Sequence, residues 1–271
     1  MVAWLALAAA LAGADHEVVD FTPGAQGEPV LVVTTPGVAF SGYLPLLWAL
    51  EREGLAVHAL RFACRGQGVD DLVEDIGEAL DARPVPVTVV AHGLGATLAL
   101  MAGPRGERVA SYVLLAPVLG VEPGAALDVA ASVPVGASAV LDARLEFGDH
   151  ELSDVLLGEE HPPLGCAPAR FAAEVQGWIR TREVPVDLSR IEAPVWLGVS
   201  LGDDVATVEA TVPRSRELGG SRELVRFGRP RLDPLDFDHG QMLTHRIPVR
   251  RAARQARRRV RLDHDASVGE P

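Results

Sequence analysis

The chain has 271 residues, of which 48% are apolar and 23% charged, and this composition argues against extensive disorder. Its formal net charge of −12 argues against a general nucleic-acid binder, because phosphate binding needs a positive field. Lysine is absent, and seven arginines lie within residues 250–261 with no acid among them. This segment is typical of an arginine-rich helix or tail packed on an acidic body, and contact with an anionic surface is the alternative.

The N-terminal residues 1–14 form an apolar run that ends in Ala12-Gly13-Ala14, a pattern typical of a signal-peptide cleavage site. The run is too short to span a bilayer as a helix, so we expect no stable membrane insertion. The usual positive segment is missing, since no lysine or arginine precedes Arg52. We interpret the run as an export signal for the periplasm or the extracellular space. A buried N-terminal helix of a cytoplasmic protein and a start further upstream are the alternatives.

Strand and helix patterns alternate along the chain from residue 30 onward. Apolar, largely β-branched runs predict strands at residues 30–35, 55–61, 86–90, 109–116, 194–200 and 222–227. Helical spacing of apolar residues predicts helices at residues 43–53, 70–82 and 96–103, between the first four strands. The alternation predicts an α/β protein with a mostly parallel, doubly wound sheet that is covered by helices on both faces.

The regular pattern loosens between residues 117 and 190, where Pro, Gly and Ala are frequent. An acidic stretch at residues 148–161 precedes a helix-like stretch at residues 167–180. Because strand patterns return at residue 194, we interpret residues 117–190 as a cap-like insertion over the sheet edge. The predicted domain covers residues 15–262, and residues 263–271 form a C-terminal tail.

The glycine-rich corner at residues 93–95 has some features of a cofactor-binding turn. Gly93-Leu94-Gly95 follows a strand, as in a dinucleotide-binding G-x-G-x-x-G turn, but Leu98 occupies the third glycine position. A P-loop is excluded because the chain has no lysine. Cys64 and Cys166 fit no metal-ligand spacing and are predicted to be unpaired thiols, with a disulfide as the alternative. We therefore predict no cofactor and no metal.

The corner Ala91-His92-Gly93-Leu94-Gly95 resembles the nucleophile elbow G-x-S-x-G of the α/β-hydrolase superfamily, with Gly93 in the position of the serine. Four further segments resemble the other motifs of that superfamily in the required order. They are TTPGVAF for the oxyanion loop, RFACRGQG for the R-G-x-G loop, the G-D-D turn after the strand at 194–200, and LDFDHGQMLTH for the histidine loop. The resemblance extends from about Val30 to Met242.

This resemblance implies an α/β-hydrolase fold and assigns roles to individual residues. His239 is the histidine of the site, and either Asp203 or Asp204 is the acid that orients it. The backbone N–H groups of Val38 and Leu94 form the oxyanion hole. His92 packs beneath the elbow, as the corresponding residue often does in the superfamily.

Gly93 has no side chain, so no covalent acyl-enzyme can form at this position. Ser41, Ser200 and Thr97 lie outside the elbow, and Thr97 is expected to pack between helix and sheet. Two functions stay open. One is a non-catalytic pseudo-hydrolase that binds a small-molecule ligand. The other is a divergent esterase- or lipase-like hydrolase that acts on an ester-like or small acyl substrate through His239 and Asp203 or Asp204.

Overall fold

The structure is a computed structural model that describes residues 16–63, 66–103, 108–122 and 167–268, with side chains up to residue 260. Several sequence predictions lie outside the described residues. They are the export signal at residues 1–14, the two thiols Cys64 and Cys166, and residues 123–166 of the insertion.

The described strands form one seven-stranded sheet in the order β1-β3-β2-β4-β5-β6-β7. Strand β1 pairs antiparallel with β3, and all the other pairings are parallel. The six strands that the apolar runs predicted are present, and β1, an edge strand with half-buried residues, was missed. The bounds are β1 His16–Asp20, β2 Pro29–Val33, β3 Ala56–Phe62, β4 Val87–His92, β5 Val109–Leu115, β6 Val195–Ser200 and β7 Arg222–Phe227.

The central strands owe their positions to their composition. Every residue of β4 is buried, and so are the last four residues of β2. A strand that is buried on both faces needs a continuous apolar run rather than an alternating one, and helices must cover both faces of its sheet. The sheet is therefore the mostly parallel, helix-covered α/β sheet that the sequence predicts.

The helices fill the predicted gaps between strands, and short 3-10 helices occur at residues 40–43, 188–190, 215–217 and 229–231. Within the described ranges, no helix combines the length and the apolarity needed to cross a membrane. The helix bounds are α1 Leu44–Arg52, α2 Val69–Asp81, α3 Gly93–Ala102, α4 Ala169–Thr181, α5 Val208–Arg214, α6 Gln241–Thr244 and α7 Arg246–Val268.

The arginine-rich segment is part of α7, which packs against α1 and the sheet. Its apolar face is made of small residues, including the buried Ala252 and Ala256, and this allows a close approach to the sheet. Four of its arginines pair with acids; Arg257, for example, lies 3.2 Å from Glu53, and Arg259 lies 3.5 Å from Glu223. This arrangement agrees with the interpretation of an arginine-rich helix on an acidic body.

The helix-like stretch at residues 167–180 is α4, which lies in the C-terminal part of the predicted insertion. Its first turns are attached to the loop between β3 and α2. The Phe171 N–H donates to the Gln67 carbonyl at 3.1 Å, and Glu174 Oε2 accepts from the Val69 N–H at 2.6 Å. These bonds attach α4 to the segment that follows β3, at the edge of the sheet where the parallel strands end.

Candidate functional site

The glycine-rich corner joins β4 to α3 directly, since the strand ends at His92 and the helix begins at Gly93. Gly93 has φ +56°, a left-handed conformation that favours glycine. Position 95 favours glycine for a different reason. A Cβ there would lie 2.8 Å from the Thr34 carbonyl oxygen, which is too close for a larger residue. The corner thus has the sharp strand-to-helix geometry of a nucleophile elbow.

His239 and Asp203 come together at this corner from two separate loops. Asp203 lies in the turn after β6, and His239 lies in the loop that follows β7. The His239 Nδ1 is 3.0 and 3.2 Å from the two carboxylate oxygens of Asp203. Asp204 is exposed, so the structure brings Asp203, and not Asp204, into contact with the histidine.

The Asp203 carboxylate is held by more than the imidazole. Its side chain is fully buried, and its Oδ1 accepts the N–H groups of Val205 at 2.9 Å and Ala206 at 2.7 Å. Burial by itself would raise the pKa of Asp203, but the charge and hydrogen bond of His239 and the two N–H groups outweigh it and hold the pKa below its usual value. Asp203 therefore fixes the orientation of the ring while carrying a negative charge.

The same contact sets the protonation of His239. Burial would lower the pKa of its imidazole, but the charge and hydrogen bond of Asp203 outweigh burial and raise this pKa above its usual value. The side chain keeps 19% of its surface exposed. His239 is thus a reachable imidazole whose charged form is stabilised, with Nδ1 on Asp203 and Nε2 directed at Gly93.

The Nε2 atom lies very close to the backbone of Gly93. A Cβ at position 93 would be 2.8 Å from His239 Nε2 and 3.6 Å from Thr35 Oγ1, and a distance below 3.0 Å is one that real Cβ atoms essentially never show. The imidazole therefore occupies part of the volume that the side chain of a serine would need. A side chain at position 93 requires the ring to move.

His92 lies under the corner, as the resemblance implied, and it contacts His239 in two ways. Its Nε2 is 2.8 Å from the His239 carbonyl oxygen, and the two ring centroids are 4.6 Å apart. Burial, followed by repulsion from His239, lowers the pKa of His92 to about 3, so this ring is neutral near pH 7 and its Nε2–H donates to the carbonyl. His92 thereby positions the backbone of His239.

The oxyanion-hole prediction for Val38 differs from the structure. The Val38 N–H donates to the Thr35 carbonyl at 3.1 Å, which closes a β-turn with Pro36 and Gly37 at its centre. Gly37 has φ +92°, as the third position of a type II turn requires, and this turn engages the N–H that the prediction left free. Leu94 lies in the first turn of α3, where N–H groups have no intrahelical acceptor.

The hydroxyl groups of Ser41, Ser200 and Thr97, which lie outside the elbow, have the following surroundings. Ser41 is exposed in a 3-10 helix, and the Oγ of the buried Ser200 accepts from the Gly202 N–H at 3.4 Å. Thr97 is buried and donates to the Val118 carbonyl at 2.7 Å, which is the packing role expected for it.

Sequence reasoning missed Thr35, which is the hydroxyl nearest to the Gly93 corner among the described residues. Its Oγ1 donates to the His92 carbonyl at 2.7 Å and accepts from the Gly95 N–H at 3.1 Å. Its proton is thereby committed to the backbone. A cavity of about 130 Å³ is lined by Thr35 itself and by residues that include Val38, Phe40 and Arg61.

One cluster of described residues has the chemistry to hold a metal ion. Ligand atoms of His16, Asp75 and Glu78 lie within 4.8 Å of one another. His16 Nδ1 is already 2.9 Å from one oxygen of Asp75, and the Gln67 amide donates to the other oxygen at 2.7 Å. The cluster is accounted for as a hydrogen-bonded link between β1, the β3–α2 loop and α2.

Comparison with known proteins identifies relatives by structure only. No protein-family model matches the sequence, and no curated protein is significantly similar to it. A monoacylglycerol lipase from Paleococcus ferrophilus is 15% identical, with 92% of this chain and 99% of that chain covered and a TM-score of 0.60. A lipase-esterase related protein from Clostridium acetobutylicum is 13% identical, with 90% and 99% covered and a TM-score of 0.62.

A third solved structure, a hydrolase from Pseudomonas aeruginosa, is 17% identical, with 89% of this chain and 92% of that chain covered and a TM-score of 0.58. At these identities the comparisons bear on the fold alone. The seven-stranded, mostly parallel sheet and its flanking helices match these proteins over almost their whole length. The chain has the α/β-hydrolase fold.

Proposed function

We propose that this protein is a non-catalytic pseudo-hydrolase that binds a small-molecule ligand at the Gly93–His239 corner. One observation carries the proposal. At the strand-to-helix corner the residue is Gly93, and His239 Nε2 lies 2.8 Å from the place where a Cβ would be. A covalent route needs a nucleophilic atom at this place, but glycine supplies none, and the imidazole would have to move to admit a longer side chain.

The surroundings support the absence of covalent chemistry. The nearest hydroxyl, that of Thr35, donates its proton to the His92 carbonyl and is not directed to an imidazole base. The Val38 N–H is engaged in its own turn, which removes one of the two donors that would stabilise an oxyanion. A hydrolase of this type would need both a hydroxyl group activated by an imidazole and a second free N–H donor for the oxyanion.

The corner still has features that suit a ligand with a carbonyl or carboxylate oxygen. The raised pKa of His239 favours an imidazole that donates from Nε2, because Asp203 holds Nδ1. The first turn of α3, with the Leu94 N–H, adds the positive end of a ten-residue helix. An ester-like or acid ligand would accept from these donors without reacting.

A divergent hydrolase is the second candidate, and the intact Asp203–His239 pair favours it. An imidazole that is oriented by a buried carboxylate can act as a general base on water. The two functions differ in what His239 does to the rate. A general base contributes roughly 10²–10⁴-fold to the rate, so its removal would lower the rate by that factor.

The test compares the wild type with His239→Gln and Asp203→Asn in the hydrolysis of p-nitrophenyl acetate. The pseudo-hydrolase proposal expects the hydrolysis rates of all three proteins to equal the rate of an unrelated protein of similar histidine content. A wild-type rate that falls by about 100-fold or more in both variants would favour the divergent hydrolase. Chemical-shift changes at His239 on titration with short-chain carboxylates would measure ligand binding independently.

A further inference from the structure

The charge of the chain is distributed very unevenly. Residues 222–261 contain twelve arginines and four acids, although the whole chain has a net charge of −12. These residues form β7, the loop that carries His239, and most of α7. This C-terminal segment of an acidic protein is therefore strongly basic.

An open groove of about 530 Å³ lies in this basic region, along the outer side of β7. Strand β7 is the last strand in the sheet order, so one of its edges has no partner strand within the described residues. The groove is lined by the apolar residues Leu224 and Val225 and by three arginines, Arg226, Arg231 and Arg251. No acid is among its lining residues.

The three guanidinium groups differ in how they are held. Arg251 is positioned, because its Cζ lies 5.1 Å from the centroid of the Phe227 ring and its Nη2 lies 3.5 Å from the buried Asp233. Arg226 and Arg231 are exposed, and neither pairs with an acid in the part of the chain that the structure describes. Like charges around one groove repel each other, and a bound anion would relieve this repulsion.

Apolar side chains are exposed beside the same groove. Leu232, which follows Arg231, is 97% exposed and has φ +66°, a conformation that is costly for a leucine. Leu201 is 44% exposed and packs next to Gly228, at the start of the same loop. Exposed leucines among arginines match the two layers of a lipid surface, in which phosphates lie outside the acyl chains.

We propose that Arg226, Arg231, Arg251, Leu201 and Leu232, together called the β7 patch, dock this protein on an anionic lipid surface. The guanidinium groups contact lipid phosphates, and Leu232 enters the headgroup layer. The acidic remainder of the protein does not prevent this, because charges more than about 8 Å away are largely screened at physiological salt. The inference goes beyond the proposed function and does not depend on the Gly93–His239 corner.

The experiment measures co-sedimentation of the full chain with vesicles. One set is phosphatidylcholine, and the other is an equimolar mixture with phosphatidylglycerol. We expect binding to the mixed vesicles alone, with binding lost at high salt. The double variant Arg226→Gln/Arg231→Gln should bind about 25-fold more weakly, since each arginine near an anionic surface contributes about fivefold. Leu232→Ser should weaken binding by about fivefold.

Matched controls remove the same groups from other exposed positions. Arg180→Gln/Arg190→Gln changes the net charge by the same amount, and Val85→Ser removes an apolar side chain that is 47% exposed. Both controls should bind within about twofold of the wild type.

Three results would overturn the proposal. The first is equal binding to both kinds of vesicle, and the second is an equal loss of binding in the controls. The third is displacement by pyrophosphate with no effect of Leu232→Ser, which would assign the groove to free phosphate-type anions. The wild-type level of ester hydrolysis is measured alongside and bears only on the proposed function.

Discussion

The two halves of the candidate site touch each other, yet they differ in what they contain. The Asp203–His239 half has a buried carboxylate, two backbone donors and an oriented imidazole. The Gly93 half has no side chain at the corner and a turn that engages the Val38 N–H. The first half stabilises the folded chain whether or not a reaction takes place, whereas a nucleophile contributes only to catalysis. The Asp203–His239 half can therefore be retained for its contribution to stability when the Gly93 half has no nucleophile.

The largest effect should follow from removal of the acid. Asp203→Ala leaves two buried N–H groups and the charged form of His239 without their partner, so we expect a loss of about 4 kcal/mol in the free energy of unfolding. The neighbouring Asp204 is exposed, and Asp204→Ala should change it by less than about 0.5 kcal/mol. Urea denaturation at pH 7 measures both. Equal effects of the two substitutions would contradict a structural role for the Asp203–His239 half.

Acid pH should lower the free energy of unfolding through the protonation of His92. Its pKa is lowered to about 3 in the folded protein, so below its usual value of 6.5 the unfolded chain binds a proton first and stability falls. From pH 6.5 to 4.5 this amounts to about 2 kcal/mol, because the slope reaches its full value of about 1.4 kcal/mol per pH unit only well below pH 6.5. His239 acts in the opposite direction, since its raised pKa adds stability that is complete below 6.5.

The His92 contribution is isolated by His92→Gln, which retains an N–H donor for the His239 carbonyl and cannot titrate. Urea denaturation at pH 7.0 and pH 4.5 should show a smaller acid loss in this variant than in the wild type. Parallel loss in both proteins would mean that His92 is protonated in the folded state.

A smaller effect separates backbone strain from crowding at the corner. Gly93→Ala places a Cβ at φ +56° and against His239, so we expect a loss of about 2 kcal/mol. Gly54 has φ +80° and no atom within 4 Å of its Cβ position, so Gly54→Ala should cost only about 1 kcal/mol. The excess at position 93 should disappear in a His239→Ala background. If the excess persists there, the imidazole is not what fills the corner.

The sequence predicted the sheet well, because buried parallel strands require continuous apolar runs and this chain has them. It assigned Gly93, His239 and either Asp203 or Asp204 to loops that follow strands, and the choice between the two aspartates stayed open. It missed β1, whose five residues are only half buried. It missed the contacts of Thr35 and His92 because they join residues 57 and 147 positions apart. The hydrogen bond of the Val38 N–H could have been predicted from the sequence. Pro36-Gly37 favours a type II turn, and the N–H of the last residue of such a turn is hydrogen-bonded.

The most direct test of the central claim is intact-protein mass spectrometry after incubation with a fluorophosphonate probe. The probe forms a covalent adduct only with an activated nucleophile, and it reports on the site without knowledge of the ligand. The account predicts no adduct on the folded wild type under conditions that fully label an active serine esterase. A stoichiometric adduct on the wild type, mapped to Thr35, Ser41 or Ser200 and lost in His239→Gln, would contradict it.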